Sequence, residues 1–445
     1  MGRRSHAREL SVWANGIRVA SWRIPARGDM ELQYDGAWRQ SAAGRPLSLS
    51  LPFGMDDSPL KGAAVESYFD NLLPDSADIR KRLASRFGTG SIGAFDLLEA
   101  IGRDCVGAVQ LLPPDGFPEG FDRIEGEPMT DEDIAAHLQG MVARSGPGRS
   151  AAADFRISIA GAQEKTALLR HRGRWLMPRG ATPTTHILKL PLGLVGNMRA
   201  DLSTSVENEW LCMNLLQAFG LPVANTAIAD FAGQRVLCVE RFDRQPHPSG
   251  TWIMRLPQED FCQVHGLPSH RKYEVDGGPG LPQLAKVLRS SERASLDIAT
   301  VLAAQILFWM LAATDGHAKN FSIQLLPRGR YQLTPLYDVV SAWPIMGEGR
   351  NQLSWHKAKL AMAVAGANRH YALKEIQRRH FNAMAPRCGF GESAEPLIQG
   401  ILERVPGVID QVGARLPAGF PQRVADSIFA GLKASARMLE KMPER

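Results

Sequence analysis

Thr314-Asp315-Gly316-His317-Ala318-Lys319-Asn320 is the stretch on which the reading of the whole chain turns. It follows Ile298–Ala313, an apolar run interrupted only by Thr300 and Gln305. That run is shorter than the ~20 residues a membrane span requires, so it reads as a buried helix. Asp315 and Asn320 stand five apart, the spacing at which a phosphoryl-transfer loop sets a hydroxyl-orienting carboxylate beside a metal-holding amide. Alone the pair says little, because Asp and Asn are common turn formers. A hairpin-like FSIQLLPRGRYQL (321–333) follows, and then Leu336-Tyr337-Asp338-Val339 supplies an aspartate where a second metal carboxylate belongs. Order and spacing together favour the chemical reading.

Working outward, Ile187-Leu188-Lys189-Leu190-Pro191 places a lysine inside an apolar run. A buried ammonium calls for an anionic partner such as a phosphate, and the plain alternative is an edge-strand lysine facing water. Glu207 or Glu209, on the helical segment VENEWLCMNLLQAFG (206–220), is the candidate ion-pair partner. The loop from Ser158 to Thr166 contains Ala160, Gly161, Ala162, Gln163, Glu164 and Lys165. Its small residues would let backbone N–H groups approach phosphates, but it lacks Walker A spacing, so on its residues alone the turn reading is favoured over phosphate contact. Val239-Glu240-Arg241-Phe242-Asp243 closes this region, where backbone could meet an adenine edge. His317 has no second histidine or cysteine at ligand spacing and reads as a positioning residue. Phe308, Trp309 and Met310 read as core. Gly88-Thr89-Gly90-Ser91-Ile92-Gly93 is formally a GxGxxG, yet it follows a basic helical segment instead of a strand and reads as an interhelical turn.

The 445 residues exceed what one core usually serves, so several cooperating units are expected. Composition, 44% hydrophobic and 22% charged, is that of a folded globular protein and excludes an intrinsically disordered chain. The net charge of +6 is too evenly spread to establish nucleic-acid binding. Cys105, Cys212, Cys238, Cys262 and Cys388 include no CxxC pair, which argues against a disulfide framework and a structural zinc, and fits a reducing cytoplasm. MGRRSHARELSVW lacks an apolar segment of the secretory kind, and no membrane partner is expected. Residues 1–125 open with strand-and-hairpin patterns and continue as helices; 126–154 read as a linker; 155–245 read as strands around one helix; 246–440 read as mostly helical.

The motifs DFRISIAGAQEKTALL (154–169), PTTHILKLP (183–191), VERFDR (239–244), LPQEDFCQ (256–263), YEVDGGPG (273–280), ATDGHAKNFSI (313–323) and LTPLYDVVSA (333–342) resemble the HipA kinase family. RPLSLSLP (45–52), FDNLLPDS (69–76) and AFDLLEAIGRDCVGAVQL (94–111) are similar to that family's amino-terminal domain, so the resemblance runs from about residue 10 to about residue 430. It implies an α+β, two-lobed protein-kinase-like fold with a β-rich N-terminal subdomain and a mostly helical C-terminal lobe.

The resemblance also implies a serine/threonine protein kinase (EC 2.7.11.1) using ATP and Mg2+, the toxin of a bacterial toxin–antitoxin pair that causes growth arrest and persistence. Asp315 would be catalytic, Asn320 and Asp338 would hold metal, and Lys189 would bind phosphate. Ala160 to Lys165, Glu240 to Phe242, His317 and Tyr337 would surround the nucleotide, and Ser158 would be autophosphorylated. The implied partners are a HipB-like helix-turn-helix antitoxin, operator DNA through the antitoxin complex, and a translation protein, an aminoacyl-tRNA synthetase, as substrate. The basic RHYALKEIQRRHFNAMAPRC (369–388) reads either as a DNA contact or as a solvated helix face. Two rival readings keep the motifs: a small-molecule kinase on the same fold, and a nucleotide-holding DNA co-repressor without turnover.

Overall fold

The computed structural model describes residues 7–142, 158–161, 163–196 and 199–444. The N-terminal part builds an antiparallel sheet in the order β4-β3-β2-β1-β5 from β1 (Arg8–Ala14), β2 (Ile17–Ile24), β3 (Glu31–Tyr34), β4 (Leu60–Lys61) and β5 (Gln110–Leu112). Asn15 and Gly16 join β1 to β2 with positive φ, the geometry that suits the twist of a two-residue hairpin. Its helices are α1 (Gly36–Gln40), α2 (Ala63–Asp70), α3 (Ala77–Phe87) and α4 (Ala94–Ile101). The core packs Trp22 of β2 flat on Phe69 of α2, ring centroids 3.8 Å apart. Gly88 caps α3 in the left-handed conformation, so the GxGxxG segment is the interhelical turn its context implied.

Part of the expected linker is instead folded. Strand β6 (Gly126–Pro128) and helix α5 (Asp131–Val142) join the next sheet, while 143–154 lie outside the described residues. This six-stranded sheet, ordered β12-β13-β9-β7-β8-β6, adds β7 (Lys165–His171), β8 (Arg174–Pro178), β9 (His186–Lys189), β12 (Thr226–Phe231) and β13 (Gln234–Glu240). Ile134 and Leu138 of α5 pack on Leu168, Leu188 and Phe231, which is why a polar-looking segment stays on the sheet. A hairpin of β10 (Gly193–Val195) and β11 (Ala200–Leu202) precedes α6 (Ser205–Ala218).

Beyond residue 243 lie β14 (Arg244–Pro246), β15 (Ile253–Arg255), β16 (Gln258–Asp260), α7 (Phe261–Val264), α8 (Leu281–Leu288) and α9 (Ala294–Met310). Apolar nearly all round, α9 runs through the main core, as its sequence required. After it come β17 (Ser322–Leu325), β18 (Tyr331–Leu333), β19 (Lys359–Ala365), β20 (Arg369–Ala372), α10 (Arg378–Cys388), α11 (Glu395–Gly413) and α12 (Gln422–Lys441). Helices dominate this lobe, but KLAMAVA forms strand β19, paired with β20. A short continuous apolar run does not distinguish strand from helix. Strand β18 stops at Leu333, and Leu336 makes an isolated bridge to Val223. Among the described residues no helix is long and apolar enough to cross a membrane.

Candidate active site

Between the six-stranded sheet and the helical lobe lies a cavity of about 530 Å³, within the size range of small-ligand sites. Its lining includes Lys165, Lys189, Glu209, Phe242, Asp315, Tyr337 and Asp338. Lys189 ends β9 and is buried. Its Nζ donates to Glu209 Oε1 at 2.7 Å and to Asp338 Oδ1 at 2.8 Å. Of the two candidate glutamates, Glu209 faces the cavity lysine and Glu207 pairs with Arg235. Burial works against the Lys189 ammonium, but the Asp338 and Glu209 carboxylates offset it and hold the lysine above its ordinary pKa. Burial likewise opposes ionisation of Asp338, yet Lys189 and Lys165 keep its carboxyl well below the usual range.

Asp338 has φ +62, a left-handed conformation uncommon for a non-glycine residue. It is held there in part by Asn320, whose Nδ2 donates to the Asp338 carbonyl at 3.1 Å. Asn320 Oδ1 accepts the His317 N–H at 3.3 Å, so amide and loop brace each other. The His317 ring is buried, which depresses its basicity, and packs edge-on against Tyr273 at 5.1 Å. Asp315 presents a side chain 66% exposed, and its Oδ1 accepts the Tyr273 hydroxyl at 2.6 Å. Gly316 is required sterically, since a Cβ would lie 2.5 Å from the Phe308 ring of α9.

The phosphate-loop candidate lies against the N-terminal subdomain. Gly161 has φ +114, and a Cβ there would stand 2.4 Å from Lys165 Nζ. Gln163 donates to the Leu190 carbonyl, and Glu164 pairs with Arg82 of α3. Ala160 lines the cavity, and Ala162 lies outside the described residues. Ser158 is fully buried and its Oγ donates to the Leu72 carbonyl at 2.6 Å. At the opposite wall, Phe242 and Tyr337 rings lie 5.8 Å apart, and the Tyr337 hydroxyl donates to the Lys319 carbonyl at 2.8 Å. Glu240 is exposed and accepts from Asn225 Nδ2 at 2.9 Å. The Arg241 guanidinium is committed elsewhere, to Asp243 Oδ2 at 2.8 Å, Thr184 Oγ1 at 2.9 Å and the Cys105 carbonyl at 2.8 Å. Further along the chain, Arg378 of the basic 369–388 segment is buried and paired with Glu395 of α11.

An ATP–magnesium pair suits these groups. Lys165 Nζ has no hydrogen-bond partner among the described residues, and burial followed by the nearby Lys189 charge pushes it down to about 8. A phosphate would satisfy both ammonium groups at once, and the Asp338 carboxylate with the Asn320 amide is an oxygen donor set for a hard divalent cation. Bound there, the metal and nucleotide would supply charge neutralisation and a transferable phosphoryl group, and the exposed Asp315 carboxylate would be accessible to an acceptor hydroxyl.

Several neighbours of this site carried no assigned role in the sequence. Asn71, Asp75, Lys272, Tyr273 and Lys319 all line the cavity. Lys319, inside the Asp315–Asn320 loop, was the one with a local signal: a cation that must be buried if the loop is.

A model of the HipA-like C-terminal domain matches residues 157–409, and a model of the HipA N-terminal domain matches residues 10–112. Y4mE of Sinorhizobium fredii is 32% identical over 395 residues, 86% of each chain. The serine/threonine-protein kinase toxin HipA of Shewanella oneidensis is 29% identical over 348 residues, 75% of each chain. Among solved structures, the Shewanella oneidensis complex of HipA, HipB and operator DNA contains a chain matched with TM-score 0.76, 23% identity and 96% coverage of both. That likeness gives the fold: two lobes of α+β, kinase-like architecture preceded by a β-rich subdomain. With the C-terminal model covering more than half of its length, the chain belongs to the HipA family.

Proposed function

We propose that this protein is a serine/threonine protein kinase toxin that moves the γ-phosphate of Mg-ATP to a protein hydroxyl. The observation that carries the reading is the convergence on one cavity of the Lys189–Glu209 pair, Asp338 and the Asp315–Asn320 loop. Phosphoryl transfer is catalysed mainly by positioning and charge stabilisation, and these are the groups it needs. Lys189 and Lys165 hold phosphates, Asn320 and Asp338 hold magnesium, and Asp315 orients the hydroxyl. Phe242 and Tyr337 form the apolar wall for the base, with His317 shaping the loop.

Ser158 is the proposed site of self-modification. Since it is buried against Leu72, its phosphorylation requires the loop to leave, and a phosphate of nearly two negative charges would prevent its return. The solved Shewanella oneidensis complex supports a HipB-like antitoxin and operator DNA as partners. A translation protein such as an aminoacyl-tRNA synthetase is the proposed target, and growth arrest with persistence the proposed outcome.

The test is incubation of purified protein with Mg-ATP and host lysate, wild type beside Asp315→Gln, followed by phosphopeptide mapping. Expected are a labelled Ser158 peptide and a translation-protein peptide, both absent from the variant. Absence of protein phosphorylation by unmodified enzyme would overturn the reading in favour of metabolite phosphorylation or nucleotide binding alone.

A further inference from the structure

We infer that the segment Asn71–Asp75 of the N-terminal subdomain is part of the catalytic site, with Asn71 and Asp75 as positioning residues for the transfer loop. This rests on the kinase reading and adds to it a role for a domain outside the two lobes.

The segment stands between the two loops that phosphoryl transfer must align. On one side it touches the phosphate loop: the Leu72 carbonyl accepts from Ser158 Oγ, Pro74 bridges Gly161, and the Asp75 N–H donates to the Gly161 carbonyl at 3.0 Å. On the other it holds the transfer loop. Lys319 Nζ donates to Asn71 Oδ1 at 2.7 Å and to the Asn71 carbonyl at 3.2 Å, and its remaining contacts are Asp260 Oδ2 at 2.9 Å and Asp75 Oδ1 at 3.8 Å. Asp75 Oδ2 meets Lys272 Nζ at 2.9 Å. The Lys272 carbonyl accepts the Ala318 N–H at 3.1 Å, and Tyr273 then reaches Asp315.

An ammonium has three donors, and Lys319 directs them at two residues, only one of which belongs to the helical lobe. The other, Asn71, is itself fixed from both sides, its Nδ2 donating to the Ser67 carbonyl at 2.7 Å and to the Leu267 carbonyl at 2.8 Å. A buried cation that loses one of its three hydrogen-bond acceptors moves or drags its backbone, and Lys319 is the residue before Asn320. The position of the metal-holding amide and of Asp315 therefore depends on a side chain almost 250 residues upstream.

The contacts to the transfer loop and those to the phosphate loop predict different kinetics. The Asn71 side chain touches only the transfer loop and its own support, so Asn71→Ala is expected to lower kcat by about 10- to 100-fold, the usual effect of a small misplacement. KM for ATP should stay within about threefold. Arg82→Ala, which frees Glu164 on the phosphate loop, should raise KM for ATP and leave kcat closer to wild type.

The experiment uses the full chain, measuring transfer from Mg-ATP to lysate proteins, with hydrogen exchange of the peptide covering 314–321 measured in parallel on the same proteins. Asn71→Ala should speed exchange in that peptide and leave α6 unchanged; Asp75→Asn, of equal size, should act in the same direction and serves if the alanine variant does not fold. Wild-type kcat and exchange in both variants would overturn the inference. An inactive wild type would strike the kinase reading instead, and the exchange contrast would still decide whether Asn71 positions the loop.

Discussion

Lys189 and Asp338 meet as ammonium and carboxylate at 2.8 Å, one from the sheet and the other from the segment after β18, so an ion pair spans the cavity between the lobes. Glu209 holds the same ammonium from the side of α6, at 2.7 Å. The lysine is thus placed without any ligand.

Removing that cation tests the arrangement. Lys189→Met leaves the buried Glu209 carboxylate unpaired and Asp338 without its main counter-charge, which should cost about 3–5 kcal/mol of stability and abolish transfer. Lys189→Met combined with Glu209→Leu replaces the buried pair by apolar groups and should recover most of the stability with none of the activity. Urea unfolding of the three proteins checks the first part, and phosphate transfer the second.

Asp315 shows the opposite balance. Its side chain is mostly solvent-exposed, and asparagine still accepts the Tyr273 hydroxyl, so Asp315→Asn should alter stability by no more than about 0.5 kcal/mol. Transfer should fall by about 10²- to 10⁴-fold, the range for a lost positioned carboxylate. A thermal melt beside a transfer assay reads both; a large drop in Tm would mean that Asp315 serves the fold.

Gly316→Ala separates loop placement from nucleotide binding. The new methyl would lie 2.5 Å from two ring carbons of Phe308, whose ring is buried under the loop, so the loop must lift. Overpacking of this kind costs about 1–3 kcal/mol. The expected variant binds ATP nearly as wild type by calorimetry and transfers phosphate slowly; equal loss of both would place Gly316 in the nucleotide site itself.

How far the sequence reached depended on whether a relationship is written along the chain. Asp315, Asn320 and Asp338 share one stretch whose order and spacing carry the information, and Lys189 stands out as a charge in an apolar run. Choosing Glu209 over Glu207 was not possible from spacing, because residues two apart on a helix point to different sides and only packing decides which meets β9. Nothing local pointed Asn71 or Asp75 to the site, since their contacts with Lys319 and Lys272 span almost 200 to 250 residues. Strand β6 and helix α5 were hidden in a stretch whose Pro, Gly and Asp content reads as linker, and their place depends on apolar contacts with a sheet formed later in the chain. Arg241 sits in a motif expected at the nucleotide, yet its guanidinium serves a buried cluster with Asp104, a pairing across 137 residues.

The joint between the N-terminal subdomain and the helical lobe should be pH-sensitive through Glu259. This fully buried carboxyl accepts the Leu49 N–H at 2.8 Å and contacts Ser48, and its sequence neighbour is the acidic Asp260. Burial pushes it up to about 8 from an ordinary 4.5, and the hydrogen bonds from Ser48 and Leu49 do not offset this. A folded-state value above the unfolded one means that the folded protein binds the proton more tightly. The associated stability is therefore complete below about 4.5 and is lost as pH rises toward 8, with a slope of at most about 1.4 kcal/mol per pH unit. Glu259→Gln keeps the shape and cannot ionise, so it should remove this decline and be more stable than wild type at pH 8.5, with no such advantage at pH 4.5. Urea midpoints at four pH values between 4.5 and 8.5 measure it; parallel curves for the two proteins would show that Glu259 ionises alike in the folded and unfolded states and that the joint is insensitive to alkali.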